Sequence, residues 1–313
     1  MITVGGFNTS VDKAMAMAEL RSGAVNRASS VHSYPGGKGL HVACAVAALG
    51  EPVTLVGLID AAHRGFFEDA LAARGVCFQG TLVAGSVRTC LTIREEGQAR
   101  VTEILEPGPE LDETAQRSLA EAFLSGAVRS EVAVLSGSVP RGFGEDVYAR
   151  LAAALREVGL RGLVDASGEL LRAAVEARPF LVKPNREELE AVLGEPVQGV
   201  AGAAAAARGL CARGIAVVVV SLGAEGALLA SEGRVAYARA PAGPAQNTVG
   251  SGDCLLGGVA VGLKRGLRFD EVLRLGVACG TANTLSPETG FVRREDVEAV
   301  LPEVRVSWLE EGA

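Results

Sequence analysis

Aromatic side chains are scarce in this chain of 313 residues. Nine Phe, three Tyr and one Trp make up 4% of the sequence, although 49% of it is hydrophobic. Proteins that bind single-stranded nucleic acid stack the bases on aromatic rings, and few rings are available here. The net charge of -7 also argues against nucleic acid and anionic membranes as partners. If the substrate is anionic, the charge that attracts it must be local.

The sequence also lacks the patterns of a secreted or membrane protein. Its six cysteines form no C-x-x-C pair, and most lie in apolar runs, which indicates buried thiols rather than disulfides or a zinc site. No basic region precedes an apolar segment at the start of the chain, as it would in a signal peptide. No window reaches the roughly 18 apolar residues that a membrane span needs. We therefore expect a cytoplasmic protein without a membrane partner.

Short β-branched runs alternate with longer segments rich in Ala, Leu, Glu and Arg. The runs are apolar on both faces, which is typical of a parallel sheet covered by helices on both sides. We predict strands at 53–59, 132–136, 162–165, 180–183 and 216–221. We predict helices at 40–49, 65–73, 112–124, 145–158, 187–193, 200–212, 254–264, 270–284 and 294–301. We expect one α/β domain over 1–313, with ligands at the carboxyl ends of the strands.

Two segments interrupt this alternation. Residues from about 13 to 34 and from about 88 to 102 have the mixed polarity of half-exposed strands. They predict a small sheet that projects from the main domain. Such a sheet needs a cover, and a second copy of the same protein is one source of it.

Residues 247–253 read NTVGSGD and lead into an apolar run that is typical of a helix. Gly250 and Gly252 let the backbone bring its N–H groups close to a ligand. Together with the helix dipole, those groups form a site for an anion such as phosphate. The carboxylate of Asp253 repels an anion, so it suits a base that takes a proton from an attacking hydroxyl. Asp is also a favoured helix cap, and this segment alone leaves both interpretations open.

Residues 35–41 read PGGKGLH and run into the first predicted helix. They do not form a Walker A loop, because His32 stands where the first Gly of that motif belongs and no Ser or Thr follows Lys38. The spacing places glycine N–H groups and one cation at a helix start, where a polar or anionic substrate can lie. A Gly-rich turn with an exposed Lys is the competing interpretation.

Residues 183–188 read KPNREE and join the end of a strand to the start of a helix. Asn185 and Glu188 have the spacing of a capping box. The same side chains, placed at the carboxyl end of a strand, can also orient water around Mg²⁺ that bridges the phosphates of ATP. The two interpretations are compatible.

Three further features are weaker signals. Ser221, Gly223 and Gly226 suit a tight turn near a nucleotide, although a plain turn between two strands explains them equally well. The serines of 136–140 can bind a phosphate or a sugar, but they are also ordinary loop residues. Single charges such as Asp12 and Arg88 are most often surface charges, whereas Asp165 ends an apolar strand and is less easily explained that way.

The ordered set of these motifs resembles the PfkB, or ribokinase-like, family of sugar kinases over essentially the whole chain. Residues 36–39 are similar to the first family signature, and residues 247–253 to the second, which usually reads D-T-x-G-A-G-D. The elements at 183–188 and 221–226 fall between them in the family's order. The chain looks most similar to the branch of 1-phosphofructokinases and tagatose-6-phosphate kinases. The segments that carry this closer resemblance are 8–12, 25–27, 102–109 and 136–140, with Arg88.

The resemblance implies a ribokinase-like α/β fold with a small β-sheet lid, and it implies a role for each motif residue. Asp253 is implied to be the catalytic base beside an anion hole of Gly250, Ser251 and Gly252. The residues implied to bind the sugar and its own phosphate are Asp12, Gly37, Lys38, His41, Arg88, Ser138 and Asp165. The residues implied to bind ATP are Lys183, Asn185, Ser221, Gly223, Gly226 and Asn283, with Glu188 acting on Mg²⁺ through water.

Four residues depart from the pattern of the branch. His41, Cys90 and Leu105 each replace an Asn near the expected sugar site, and Asn247 replaces the Asp that opens the second signature. We expect ATP-dependent phosphorylation of a hydroxymethyl group on a ketohexose phosphate, with an unphosphorylated sugar or a nucleoside as the alternative substrate. A catalytically inactive binding regulator is a third reading. The resemblance implies that Asn247 removes a charge near the nucleotide or near a site for a monovalent cation such as K⁺, which would alter the dependence on metal ions. The expected assembly is a homodimer formed through the lid.

Overall fold

The structure is a computed structural model that describes residues 1–97, 100–241, 243 and 245–310. Its fourteen strands belong to two sheets. The strands are β1 (Ile2–Gly6), β2 (Ser10–Met17), β3 (Ser30–Gly36), β4 (Val53–Ile59), β5 (Val76–Leu82), β6 (Arg88–Glu95), β7 (Val101–Leu105), β8 (Val132–Ser136), β9 (Arg161–Asp165), β10 (Leu181–Val182), β11 (Val217–Ser221), β12 (Ala227–Ser231), β13 (Arg234–Arg239) and β14 (Arg305–Leu309).

The described residues also form ten α-helices. They are α1 (Lys38–Ala48), α2 (Arg64–Ala72), α3 (Glu113–Ala127), α4 (Val147–Glu157), α5 (Gly168–Ala177), α6 (Arg186–Leu193), α7 (Gly199–Ala212), α8 (Ser251–Lys264), α9 (Phe269–Asn283) and α10 (Arg294–Val300). Within the described part of the chain, none of these helices combines the length and the apolar character that crossing a membrane requires.

The larger sheet is mostly parallel, as the sequence predicts. Its ten strands have the order β14-β13-β12-β11-β10-β9-β8-β1-β4-β5. All neighbours from β5 to β11 pair in parallel. Strands β12, β13 and β14 continue the sheet in antiparallel pairs. The carboxyl ends of seven parallel strands therefore meet at one edge, where a ligand site is expected in an open α/β sheet.

Helices cover both faces of this sheet, which β1 shows directly. Consecutive strand residues point to opposite faces, and β1 ends in Gly5 and Gly6. A β carbon on Gly5 would touch Phe123 of α3, whereas one on Gly6 would touch Gly39 of α1. Helices α3 and α1 thus lie on opposite faces, and α8 packs between α1 and α9. The buried apolar side chains of all these layers form one continuous core.

The four-stranded second sheet is the small sheet that the sequence predicts. Its order is β3-β2-β6-β7. Strand β2 pairs in parallel with β6, and the outer pairs are antiparallel. The strands extend beyond the predicted segments at both ends, because β2 begins at Ser10 and β7 ends at Leu105. Exposed apolar side chains lie on this sheet, including Val31, Val101, Ile104 and Leu105.

Several elements are absent from the sequence-based prediction. Helix α5 was not predicted although Ser167 stands at its N-cap and Glu169 lies in its first turn; Gly168 at its first position weakens that signal, and N3 is Leu170, so no capping box marks the start. Strands β12 and β13 were also missed; they form a hairpin across Glu232 and Gly233, and Glu-Gly is a weaker turn signal than Asn-Gly or Asp-Gly. The edge strand β14 was missed because its partner β13 lies far away in the chain. Strand β10 has two residues, fewer than the four predicted at 180–183.

The close approach of α1 to β1 yields a test of the fold. A β carbon on Gly39 would lie 2.4 Å from the Cα atom of Gly6. Gly39→Ala therefore forces backbone movement, and we expect it to lower the free energy of unfolding by roughly 1–3 kcal/mol in urea titrations. The matched control is Gly65→Ala in α2, where an added β carbon meets nothing within 4 Å. It should leave stability unchanged or raise it by up to about 1 kcal/mol. Equal effects of the two changes contradict this packing.

Candidate active site

Polar side chains cluster where the parallel strands of the large sheet end. Ser136 ends β8, Asp165 ends β9, Lys183 follows β10 and Ser221 ends β11. The first three are buried. Because these strands are neighbours in the sheet, their last residues lie side by side at one edge.

Asp253 lies beside this edge in the first turn of α8. The helix begins at Ser251 after Gly250, which adopts a left-handed conformation with φ of 83°. The Asp253 carboxylate is buried, and its Oδ2 atom lies 2.9 Å from Nδ1 of His41. Asp253 is thus inside the helix, past the cap position, and its side chain is paired across to α1. The interpretation of Asp253 as a simple helix cap is wrong.

His41 lies between two carboxylates. Its Nδ1 atom contacts Asp253 at 2.9 Å, and its Nε2 atom lies 3.6 Å from Oδ2 of Asp12. Burial alone would lower the pKa of the His41 imidazole, but its interactions with Asp12 and Asp253 outweigh burial and raise the pKa to about 9. The two flanking carboxylates therefore favour the imidazolium form of His41. Asp12 is itself buried and accepts a 2.6 Å hydrogen bond from Ser10.

Lys38 starts α1 next to Gly37, which is the N-cap residue. The Asp165 carboxylate, and after it Asp253, raises the pKa of the Lys38 ammonium well above its usual range, although burial acts in the opposite direction. Lys38 is therefore a permanent cation. Its side chain is exposed, as the competing interpretation expects, and it interacts electrostatically with the Asp165 and Asp253 carboxylates.

Lys183 forms a buried ion pair with Asp165, with Nζ and Oδ1 3.2 Å apart. A β carbon on Gly252 would lie 3.5 Å from the same Nζ atom. The Lys183 ammonium therefore lies against the glycine-rich start of α8, where the backbone N–H groups favour an anion. Placed there, it adds a full positive charge to the partial charges of the helix terminus.

The capping box predicted at 185–188 is present. The Asn185 side chain accepts from the Glu188 amide at 2.8 Å, and the Glu188 carboxylate accepts from the Asn185 amide at 2.9 Å. Strand β11 reaches this site through a bridge between Asn185 and Ser221. The following turn, Gly223–Glu225, joins β11 to antiparallel β12, as the plain-turn interpretation requires.

Asn283, at the end of α9, is completely buried. Its amide donates to the Val249 carbonyl and to the Ser251 hydroxyl, both at 3.0 Å. The side chain therefore holds the loop that leads into α8. Asn247 in the same loop donates to Thr289 at 3.0 Å and to the Pro287 carbonyl at 3.3 Å.

Arg88 and Ser138 come together through Asn8. The Arg88 Nε atom donates to the Asn8 carbonyl at 3.1 Å, and the Asn8 side chain donates to the Ser138 hydroxyl at 3.0 Å. Arg88 also starts β6, opposite Ser10 of β2. A guanidinium and a hydroxyl are thus held at the junction of the lid and the large sheet. Both groups suit the oxygens of a phosphate.

Two residues of the lid interact with groups at the site, although neither has a role in the site predicted from the sequence. Partial burial, and then the charges of Asp12 and Asp253, raises the pKa of the Glu103 carboxyl on β7. The Tyr34 hydroxyl on β3 donates to the Thr289 hydroxyl at 3.2 Å. The sequence indicates a role for Tyr34 and Glu103 only through the alternation of side chains along β3 and β7. That alternation determines whether their side chains lie on the same face of the lid as Asp12.

The described residues contain no group of three or more His, Cys, Asp or Glu side chains placed to hold a metal ion. The chain therefore offers no metal cage of protein ligands within its described part. Mg²⁺ needs no such cage, because it keeps several waters and binds through one or two carboxylates and the substrate phosphates. One oxygen of Glu188 is used by the capping box, so a second-sphere role through water fits this donor set.

Comparisons with known proteins identify the family of this chain. Residues 6–295 match the model of the pfkB family of carbohydrate kinases. The chain is 37% identical to a 1-phosphofructokinase of Xanthomonas campestris pv. campestris, with 94% of this chain and 93% of that protein covered. It is 29% identical to a tagatose-6-phosphate kinase of Staphylococcus epidermidis, with 98% and 99% covered.

Solved structures of phosphofructokinase-2 from Escherichia coli are also similar. The complex with potassium matches with a TM-score of 0.89 at 30% identity, and covers 96% of this chain and 98% of that one. The tetrameric inhibited form matches with a TM-score of 0.88 at 29% identity and the same coverage. The ribokinase-like fold is thereby confirmed.

The chain belongs to the pfkB family of carbohydrate kinases. It is an enzyme that transfers a phosphoryl group, and membership of this kinase family implies ATP and a divalent metal ion as requirements.

Proposed function

We propose that this kinase phosphorylates a hydroxymethyl group of a ketohexose phosphate with Asp253 as the general base. The observation that carries the proposal is the placement of Asp253, buried in the first turn of α8 beside a glycine-rich helix start and the Lys183 ammonium. A carboxylate next to an anion site is explained if it accepts a proton from a hydroxyl that attacks there. The hydroxyl oxygen bonds to the γ-phosphorus of ATP, and the bond to ADP breaks.

The charge that develops on the transferred group would be held by the α8 start. In the proposed arrangement, the amides of Gly250, Ser251 and Gly252 face that group, and the Lys183 ammonium lies beside them. Preorganised donors of this kind typically contribute a hundredfold or more to the rate each. The nucleotide would lie along the loops that carry Asn185, Ser221, Gly223, Gly226 and Asn283.

The divalent ion would be Mg²⁺, bound to the ATP phosphates and, through water, to Glu188. When bound, it neutralises phosphate charge. A monovalent cation is a further candidate, since a similar phosphofructokinase-2 was solved in complex with potassium. The loop before α8 would hold it, with Asn247 reducing the negative charge there.

The substrate is proposed from two kinds of support. Similar proteins are named 1-phosphofructokinase and tagatose-6-phosphate kinase, and the Arg88–Asn8–Ser138 cluster offers a cation and a hydroxyl for a second phosphate. The sugar itself would lie between Asp12, Lys38, His41 and Asp165.

We also propose that residues 1–313 form one kinase domain, and that it works in the cytoplasm, where its cysteines remain reduced.

Replacing the base tests the reaction. We expect Asp253→Asn to lower kcat by about 10²–10⁴-fold, the usual worth of general base catalysis, while ATP binding stays close to that of the wild type; the protein should still fold, with a lower melting temperature because His41 loses its buried partner. The assay is coupled ADP release over a panel of sugars and sugar phosphates. The matched control is Asp112→Asn, since Asp112 caps α3 and Asn is an equally good cap. Substantial turnover by Asp253→Asn removes Asp253 as the base, and a wild type inactive on the whole panel favours a binding regulator.

Replacing Arg88 tests the substrate class. If Arg88 binds the phosphate of a sugar phosphate, Arg88→Ala should raise KM for that substrate by roughly tenfold to a hundredfold, the worth of charge-assisted hydrogen bonds. KM for ATP should not change. The control is Arg150→Ala, since Arg150 lies in an exposed pair with Asp146. Indifference to Arg88→Ala, together with better turnover of unphosphorylated sugars or nucleosides, supports the alternative substrate class.

We propose that the chain forms a homodimer through the lid, whose exposed Val31, Val101, Ile104 and Leu105 need a cover. Sedimentation velocity should show a dimer that the double change Ile104→Arg and Leu105→Arg converts to a monomer. Adjacent strand residues point to opposite faces, so this pair probes both faces of the lid. Val128→Arg is the control, because Val128 is equally exposed but ends α3. A wild-type monomer, or a double variant that stays dimeric, contradicts the proposal.

A further inference from the structure

The function proposed above places His41 beside the sugar and gives its charge no role. Its ring is buried between α1, the lid and α8, with Asp253 on its Nδ1 side and Asp12 on its Nε2 side. Space for the ring exists because residue 290 is Gly: a β carbon there would lie 2.0 Å from a ring atom. Within the described part of the chain, Nε2 has no hydrogen-bond partner.

Charged groups face His41 from every element around it. Asp12 comes from β2, Asp253 from α8, Glu103 from β7 and Lys38 from its own helix, and these groups interact electrostatically with one another. The Tyr34 hydroxyl on β3 is close enough to be affected by Asp12. Three of the surrounding groups are carboxylates. Buried carboxylates repel each other unless a cation separates them, and the His41 ring lies between the two that are most deeply buried.

We propose that His41 is a positioning residue, an imidazolium that binds Oδ2 of Asp253 and joins it to Asp12, so that the other Asp253 oxygen serves as the base. The catalytic part of this inference rests on the proposed role of Asp253. The other part, that His41 forms a charged link between Asp12 of the lid and Asp253 of α8, does not depend on that role.

An imidazolium has two N–H donors and no acceptor. His41 therefore cannot receive the proton that Asp253 takes from the sugar hydroxyl, and that proton stops on Asp253. This separates a positioning role from a proton relay, in which a neutral His41 would accept the proton from Asp253 and pass it to Asp12. The two roles differ in the charge of His41 at neutral pH.

The raised pKa of His41 also fixes the direction of a pH effect. Because the folded pKa of about 9 lies above the ordinary value for histidine, the folded protein keeps a proton that the unfolded chain loses. The stability from this pairing is fully present below about pH 6.5 and is lost as the pH rises through about 9. Turnover that depends on the imidazolium should fall over the same range, as the pH rises through about 9.

The charge can be measured without any assay of activity. The chain has three histidines, so ¹⁵N NMR of the histidine-labelled protein gives three imidazoles to titrate, and His41→Asn and His63→Asn assign two of them. We expect His41 to remain an imidazolium at pH 7.5 and to titrate near pH 9. Asp253→Asn and Asp12→Asn should each lower its titration point by one pH unit or more. A neutral His41 at pH 7.5, or a titration point that neither variant moves, overturns the proposal.

The positioning role is measured by kinetics on variants of the same residue. His41→Phe removes both donors and should lower kcat by roughly tenfold to a hundredfold, whereas His41→Asn keeps one donor and should recover most of that loss at pH 7.5. His41→Asn should also remove the fall in kcat/KM near pH 9 that the wild type shows. The matched control is His63→Asn, since His63 pairs with Asp60 at 2.8 Å at the start of α2.

The two proposals fail in different ways. If Asp253→Asn retains turnover while NMR shows a charged His41, the assignment of the base is wrong and the charged link stands. If Asp253→Asn abolishes turnover but the wild type and His41→Asn have parallel pH profiles, Asp253 remains the base and His41 does not position it.

Discussion

The site depends on one constraint, which is that buried charges must alternate in sign. Carboxylates at the end of β9 and in the first turn of α8 are taken out of water, and each is stable there only beside a cation. Lys183, which follows β10, is the cation beside Asp165 at 3.2 Å. His41 of α1 is the cation beside Asp253 at 2.9 Å. The resulting series crosses the whole cleft. In order, its members are Lys183, Asp165, Lys38, Asp253, His41 and Asp12; all are buried except Lys38, which is exposed.

This series also explains why so many elements converge on a small volume. Its members come from β2, α1, β9, α8 and the segment after β10, so no single local element can form the site. The parallel sheet aligns the strand ends, and the tight packing of α1 against β1 sets the height of Lys38 and His41 above them. The lid joins through Asp12. A movement of the lid therefore changes the surroundings of His41 and, through it, those of Asp253.

Local parts of this arrangement can be predicted from the sequence, and distant pairings cannot. The strands at 53–59 and 132–136 and the capping box of Asn185 and Glu188 follow from patterns within a few residues, and the structure has all three. Helix α5 has a weaker local signal, Ser167 at its N-cap without a capping box, and was missed. The partner of Asp253 is 212 residues away, so no spacing rule indicates it. That is why the sequence alone left Asp253 between a cap and a base, and why it marked His41 only as a departure.

The alternating series has a consequence for the divalent ion. With His41 protonated, it contains three cations and three carboxylates, so the charges within the series cancel, and Glu103 and Glu188 beside it add negative charge. The polyphosphate of ATP brings several negative charges that this balanced set does not neutralise. Arg88 lies at the junction with the lid, where it hydrogen-bonds to the Asn8 carbonyl, and is not a member of the series. The compensating charge must therefore arrive with the nucleotide, which is a physical reason for a kinase with this site to require its nucleotide as a complex with a divalent metal ion.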